Sequence, residues 1–185
     1  MGFKTRMSIL VVLVGLLASD TIYTHWQARE NKRQAESLLA GLRKLKVGQS
    51  TVLDVRALVE RRKKFITADT PFCYLGFCSY SFSFHNYDSP PTIFSVDLLL
   101  NNDLLVRVSM SLLSGQFIAN VDDEVPDISP VKDTYLVEDS RPTETAIYIK
   151  PDATPAQHGI AYSINLGCIY PLGSCTEKGQ LFRYH

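Results

Sequence analysis

The chain opens on an apolar run, Met7 to Ala18, with Lys4 and Arg6 before it. Ser19, Asp20 and Thr21 interrupt the run, and Ile22, Tyr23 and Trp26 follow. Residues 7–26 are long enough to cross a hydrocarbon core as a helix. Tyr23 and Trp26 then fall at the far interface, where amphipathic rings are favoured. A basic start followed by a short apolar stretch also fits a secretory signal peptide. Leu16 and Leu17 stand where a cleavage site wants small residues. The expectation is therefore an uncleaved signal anchor over residues 7–26, behind a short N-terminal tail, 1–6.

The next rhythm is helical. Leu38, Leu42 and Leu45 recur at i, i+4 and i+7 among Gln, Glu, Arg and Lys, which predicts a juxtamembrane helix over residues 27–47, continuous with the anchor as one rod. Gly48 is placed to end it. A short helix follows, capped at Ser50 or Thr51, with Asp54 in its first turn. Val52, Val55, Leu58 and Val59 make its apolar side. Arg61, Arg62, Lys63 and Lys64 sit at its C-terminal end, where cations complement the helix dipole and could also meet anionic headgroups.

From Phe72 the period drops to two. Tyr80, Phe82 and Phe84 face one way, and Ser79, Ser81, Ser83 and His85 the other, as in a half-buried strand. Residues 93–100 and 105–112 read as a hairpin around Asn101-Asn102-Asp103. Gln116 to Val121 continues the pattern. Residues 121–144 are acidic and proline-rich and read as a surface excursion. Strand-like pattern returns at 145–150, 159–170 and 180–184. The expected fold class is α+β: an N-terminal membrane helix, a juxtamembrane helix and a short helix, then a mostly antiparallel β-sheet within an extracytoplasmic domain, residues 48–185.

Charge sharpens this division. The whole chain of 185 residues is neutral, yet residues 1–64 carry a net +8 and residues 65–185 a net −8. An acidic body repels phosphates, so no nucleic-acid partner is expected. The expected partners are the membrane, through residues 7–26, and an envelope protein or a second copy, through residues 27–47.

The four cysteines flank turn-forming segments. A two-residue turn at Leu75-Gly76 sets Cys73 opposite Cys78, at a separation a disulfide tolerates. Pro171-Leu172-Gly173 lies between Cys168 and Cys175. Local pairing, 73–78 and 168–175, is expected; crossed pairings are the alternative. The intervening lengths suit neither a structural zinc site nor a low-pKa redox pair. Paired thiols behind an export-type N-terminus point to an oxidising compartment, with the C-terminal domain periplasmic or extracellular.

Catalytic signatures are absent from the sequence. No nucleophile elbow, His-Glu-x-x-His, dinucleotide fingerprint or phosphate loop occurs. No cofactor and no metal is expected, although Asp122, Asp123, Glu124 and Asp127 could offer calcium their oxygens. Ser79, Ser81, Ser83 and His85 are the candidate binding residues, as a polar strand face for a peptide or glycan. Taken together, the pattern leads to a membrane-anchored, non-enzymatic binding or scaffolding module. The alternative is a secreted or anchored hydrolase with its site around His85 and scattered acids.

Residues 45–59, LKVGQSTVLDVRALV, resemble the opening of small envelope domains of the BamE-like kind. Lys46, Gly48, Ser50, Asp54 and Val55 carry the likeness. The resemblance implies an envelope location and a non-enzymatic role, and transfers no partner.

Overall fold

The structure, a computed structural model, describes residues 3–67, 71–86, 92–124, 136–137 and 144–149, and parts of 153–183. Two helices and a mostly antiparallel sheet make an α+β fold. Helix α1 runs unbroken from Phe3–Leu42, 40 residues, about 60 Å at 1.5 Å per residue. Helix α2 is Val52–Glu60. The strands are β1, Phe72–Tyr74; β2, Phe77–Asn86; β3, Thr92–Asn101; β4, Leu104–Ser114; β5, Phe117–Glu124; β6, Leu136–Val137; and β7, Glu144–Ile149. They lie in the order β1-β2-β3-β4-β5-β7-β6. Consecutive strands β1 to β5 pair antiparallel, and β7 joins β5 in parallel.

The hydrophobic stripe of α1 begins at Ala28. Ala28, Ala35, Leu38, Leu39 and Leu42 are buried, two alanines followed by three leucines along the face turned to the core. The expected leucine face is thus real, and it is a core face: Leu38 and Leu42 are fully buried and Leu45 packs against the same cluster. Sheet residues Phe82, Phe84, Phe94, Val96, Leu98, Val108, Met110 and Leu112 fill the other side. Phe65, just after α2, stacks on Phe84 at 4.7 Å between ring centroids.

Two details of the helices differ from the sequence reading. Helix α1 ends at Leu42, before Gly48, because the chain turns to meet the sheet. Gly48 has φ 78° and its N–H donates to Leu105 O at 2.8 Å, so it serves a turn that leads into α2 and is tied to β4. The cap of α2 is Thr51; its N–H and hydroxyl both donate to the Asp54 carboxylate, at 2.8 and 3.1 Å. Arg62 is not a solvated cation. It is buried, donating from Nη2 to Ser37 Oγ at 2.6 Å and from Nη1 to Leu58 O at 3.1 Å, which ties α2 to α1. Burial, then neighbouring Arg61, lowers its pKa from the usual guanidinium range.

Among the described residues of the expected strands at 159–170 and 180–184 there is one bridge, Ile164 with Phe182. Asn165 explains the difference. Its Oδ1 accepts from Gly167 N at 3.0 Å and Arg183 Nε at 2.7 Å, and its Nδ2 donates to Gln180 O at 2.7 Å. This side chain takes over backbone groups that a ladder would use, and Leu166–Ile169 winds into a 3-10 turn. Tyr162, Ile164, Leu166 and Ile169 are still buried. Most of the acidic excursion, 125–135 and 138–143, lies outside the described residues.

Candidate functional site: the outer face of the sheet

Both cysteine pairs are disulfides with the expected local connectivity. Leu75 and Gly76 have φ of 47° and 85°, the paired positive values of a type I′ hairpin turn. Tyr74 therefore opposes Phe77 and Cys73 opposes Cys78, with 4.1 Å between the cysteine Cα atoms. The Asn102 N–H donates to Gly76 O at 2.8 Å, locking this turn to the β3–β4 turn beside it. Cys168–Cys175 has a Cα separation of 5.0 Å and both residues are buried. Its carbonyls accept from Thr92 at 3.2 Å and Ser114 at 3.4 Å, which puts it at the opposite end of the sheet.

That end is also where α1 enters the domain, since Asn31 Nδ2 donates to His85 O at 2.9 Å. Helix α1 and strand β2 run antiparallel, so the Leu75-Gly76 tip is distal, about 30 Å away along β2 at 3.3 Å per residue.

The pleat assigns the outer face. Tyr80, Phe82 and Phe84 point to the core, so Ser79, Ser81, Ser83 and His85 share the outer side of β2, as expected. The register extends this side across four strands. Ser81, Asp97, Ser109 and Asp122 make one row, and Ser83, Ser95, Ser111 and Asn120 the next. Ser81 donates to Asp97 and Ser109 to Asp122, fixing both carboxylates. Arg107 stands beside Asp122 at 3.6 Å and donates from Nε to Ser109 Oγ at 2.8 Å. Phe72, Tyr74 and Phe77 lie at the distal end of the same face, and all are exposed.

Ser83 Oγ and His85 Nε2 share a hydrogen bond of 2.6 Å. The rows beyond β2 escaped the sequence reading, because alternation reports which way a residue faces and not which residue stands beside it.

The acids that could have offered calcium their oxygens diverge. Asp122 is on the outer face, while buried Asp123 faces the core and accepts from the Tyr162 hydroxyl at 3.1 Å. Burial, then the Asp123 charge and hydrogen bond, raise the Tyr162 pKa well above its usual value of 10.0. Asp127 lies outside the described residues, as do His158 and His185.

A cleft of about 550 Å³ opens between α1 and α2, lined by Lys44, Lys46, Arg61 and Asp54 among others, on the helical side of the sheet and away from the serines. Where α1 enters the domain, Lys64 approaches Glu30 at 4.0 Å, and this brings Lys63 and Lys64 beside the Arg29, Lys32 and Arg33 segment of α1.

Among the described residues no helix is long and apolar enough to cross a membrane. The side chains of residues 3–13 and 15–17, which carry most of the expected anchor, lie outside those described. No family model, curated protein or solved structure matches the chain.

Proposed function

We propose that the chain is a single-pass, membrane-anchored, extracytoplasmic binding or scaffolding module, not an enzyme, that presents the outer face of its sheet. One observation carries this reading. The described residues of α1 before Ala28 turn large apolar groups to solvent: Val14, Ile22, Tyr23 and Trp26, with Trp26 at 62% exposure. A water-soluble chain rarely leaves such a surface uncovered. A bilayer would cover it, with Tyr23 and Trp26, 6.4 Å apart, in the interfacial belt. Arg29, Lys32, Arg33, Lys63 and Lys64 then lie at headgroup level, where cations are favoured. The two disulfides fit an oxidising side for the domain. The likeness of residues 45–59 to BamE-like openings agrees with an envelope location. An envelope partner or a second copy meeting the 27–47 segment would use its polar positions, since the leucines are in the core.

The test is non-reducing mass spectrometry of protein purified from membranes after alkylation during lysis. Intact Met1 with 73–78 and 168–175 linked is the expected result. Free thiols, or recovery from the soluble cytosol, would overturn the reading.

The Ser83–His85 hydrogen bond favours a second reading, a hydrolase in which His85 activates Ser83. A fluorophosphonate probe separates the two. Labelling at Ser83, lost in Ser83→Ala, would establish the hydrolase; the binding module stays unlabelled.

A further inference from the structure

We propose that the outer face of the sheet binds an uncharged polysaccharide laid across the strands, with Phe72, Tyr74 and Phe77 stacking on sugar rings and the row that holds Asp97 and Asp122 bonding the hydroxyls. The inference rests on the reading of this face as the binding surface of an anchored module, and names its ligand class.

Three features converge on a sugar chain. First, a pyranose has C–H-rich faces and hydroxyls at its rim, so it is recognised by flat aromatic rings together with in-plane donors and acceptors. Phe72 and Tyr74 are 64% and 65% exposed and share the face with the serine and aspartate rows. Rings so exposed bury little in the protein's own core and have their area available for a partner. Second, the polar groups are ordered in advance. Ser81 and Ser109 each hold a carboxylate in place, and a carboxylate has acceptor sites to spare after one such bond. Members of a row repeat at the strand spacing of about 4.8 Å, and neighbouring rows lie two residues apart along the strands, about 6.6 Å, a regular lattice suited to a repeating ligand. Third, the charge selects. Asp97, Asp122 and Glu124 stand on this face with Arg107, leaving it net negative. Phosphate-bearing or uronic-acid polymers are repelled, and neutral sugars are not.

The hairpin tip supports the same use. A disulfide and the Asn102-to-Gly76 hydrogen bond brace a turn whose exposed residues are aromatic or aliphatic. Leu75 is 79% exposed and sits in a backbone region costly for leucine. Bracing an exposed aromatic shelf lowers the entropy lost when a ligand settles on it. A peptide would more naturally add to an edge strand, and the described edges are short: three residues in β1 and two in β6, while β2 beyond β1 is met by the Ile66–Phe82 bridge and by Thr67.

The full chain in lipid nanodiscs, titrated by saturation-transfer NMR and calorimetry, tests this. The probes are chitohexaose, cellohexaose and maltoheptaose, with oligogalacturonate and an unstructured peptide as competitors for the assignment. At least one neutral oligosaccharide should bind saturably, and Tyr74→Ala or Phe77→Ala should weaken it about tenfold, the loss of one aromatic contact. Asp97→Asn, which keeps the shape, should weaken it less. No binding across the neutral panel, equal binding by Tyr74→Ala, or preference for the anionic oligomer or the peptide would each overturn the proposal. Incorporation into nanodiscs is read separately. A chain that incorporates and ignores sugars loses the platform alone; one that binds sugars without incorporating loses the anchor alone; one that does neither loses both.

Discussion

Leu75 is the residue whose local cost is plainest. At φ 47° its side chain crowds its own backbone, a strain of about 1–2 kcal/mol that asparagine or glycine largely avoids. Leu75→Asn creates the preferred first residue of this turn type and should stabilise the domain by about 0.5–1 kcal/mol, read as a rise in urea midpoint at constant slope. No rise would mean that the leucine makes a compensating contact in the folded domain. Tyr162 offers a second residue-scale test. Its folded pKa is raised, so above its unfolded value near 10.0 the native state holds a proton that the unfolded state has released. Stability should be indifferent to this group at lower pH and fall beyond that value by up to about 1.4 kcal/mol per pH unit. Comparing wild type with Tyr162→Phe between pH 9 and 12 isolates the term: the phenylalanine variant should lack that share of the alkaline slope. Identical slopes in the two proteins would refute the raised pKa.

At the scale of elements, the two disulfides should differ in what their loss does. Each closes a small loop, with sequence separations of 5 and 7, so the chain-entropy contribution is about 2 kcal/mol in both. Their surroundings are unequal. Cys73 lies in an exposed edge strand, whereas Cys168 and Cys175 are buried against the 3-10 turn and the carbonyl of Gln180. Cys73→Ser/Cys78→Ser should therefore cost about 2 kcal/mol and leave the core intact. Cys168→Ser/Cys175→Ser should cost more, because it also buries hydroxyls in place of sulfur. Thermal melts of the two double variants check the order, and the reverse order would contradict the burial.

The same scale separates what the sequence made legible from what it hid. The strands β2 to β5, the Leu75-Gly76 turn and the Thr51 cap follow from period and turn chemistry within a few residues. The bridge at Ile164 was misread as strands, because apolar alternation in 159–170 is equally satisfied by a buried irregular segment held by Asn165. The parallel pairing of β5 with β7, and the side-by-side rows of Ser81, Asp97, Ser109 and Asp122, depend on non-local register. Alternation could assign the β2 residues, and Arg107, Ser109 and Ser111 of β4, to the polar side of their own strands, but not set them beside one another.

For the whole molecule, the expected outcome is membrane fractionation that resists alkaline carbonate and releases with detergent. Substituting Val12, Val14 and Leu16 by aspartate should move the chain to the soluble fraction or to aggregates, since each charge at mid-bilayer costs about 2.5–3.5 kcal/mol on the insertion scale. Unchanged membrane retention would place the attachment elsewhere in the protein.

Helix α1 belongs both to the proposed tether and to the core, and no linker separates the two roles. Such a tether has no slack. A helix seated in lipid leans according to bilayer thickness, and with the proposed tether such a lean would pass undamped into the sheet. Thicker or thinner lipid would then re-aim the serine face like a dish on a fixed mast, making its bearing a property of the surrounding lipid.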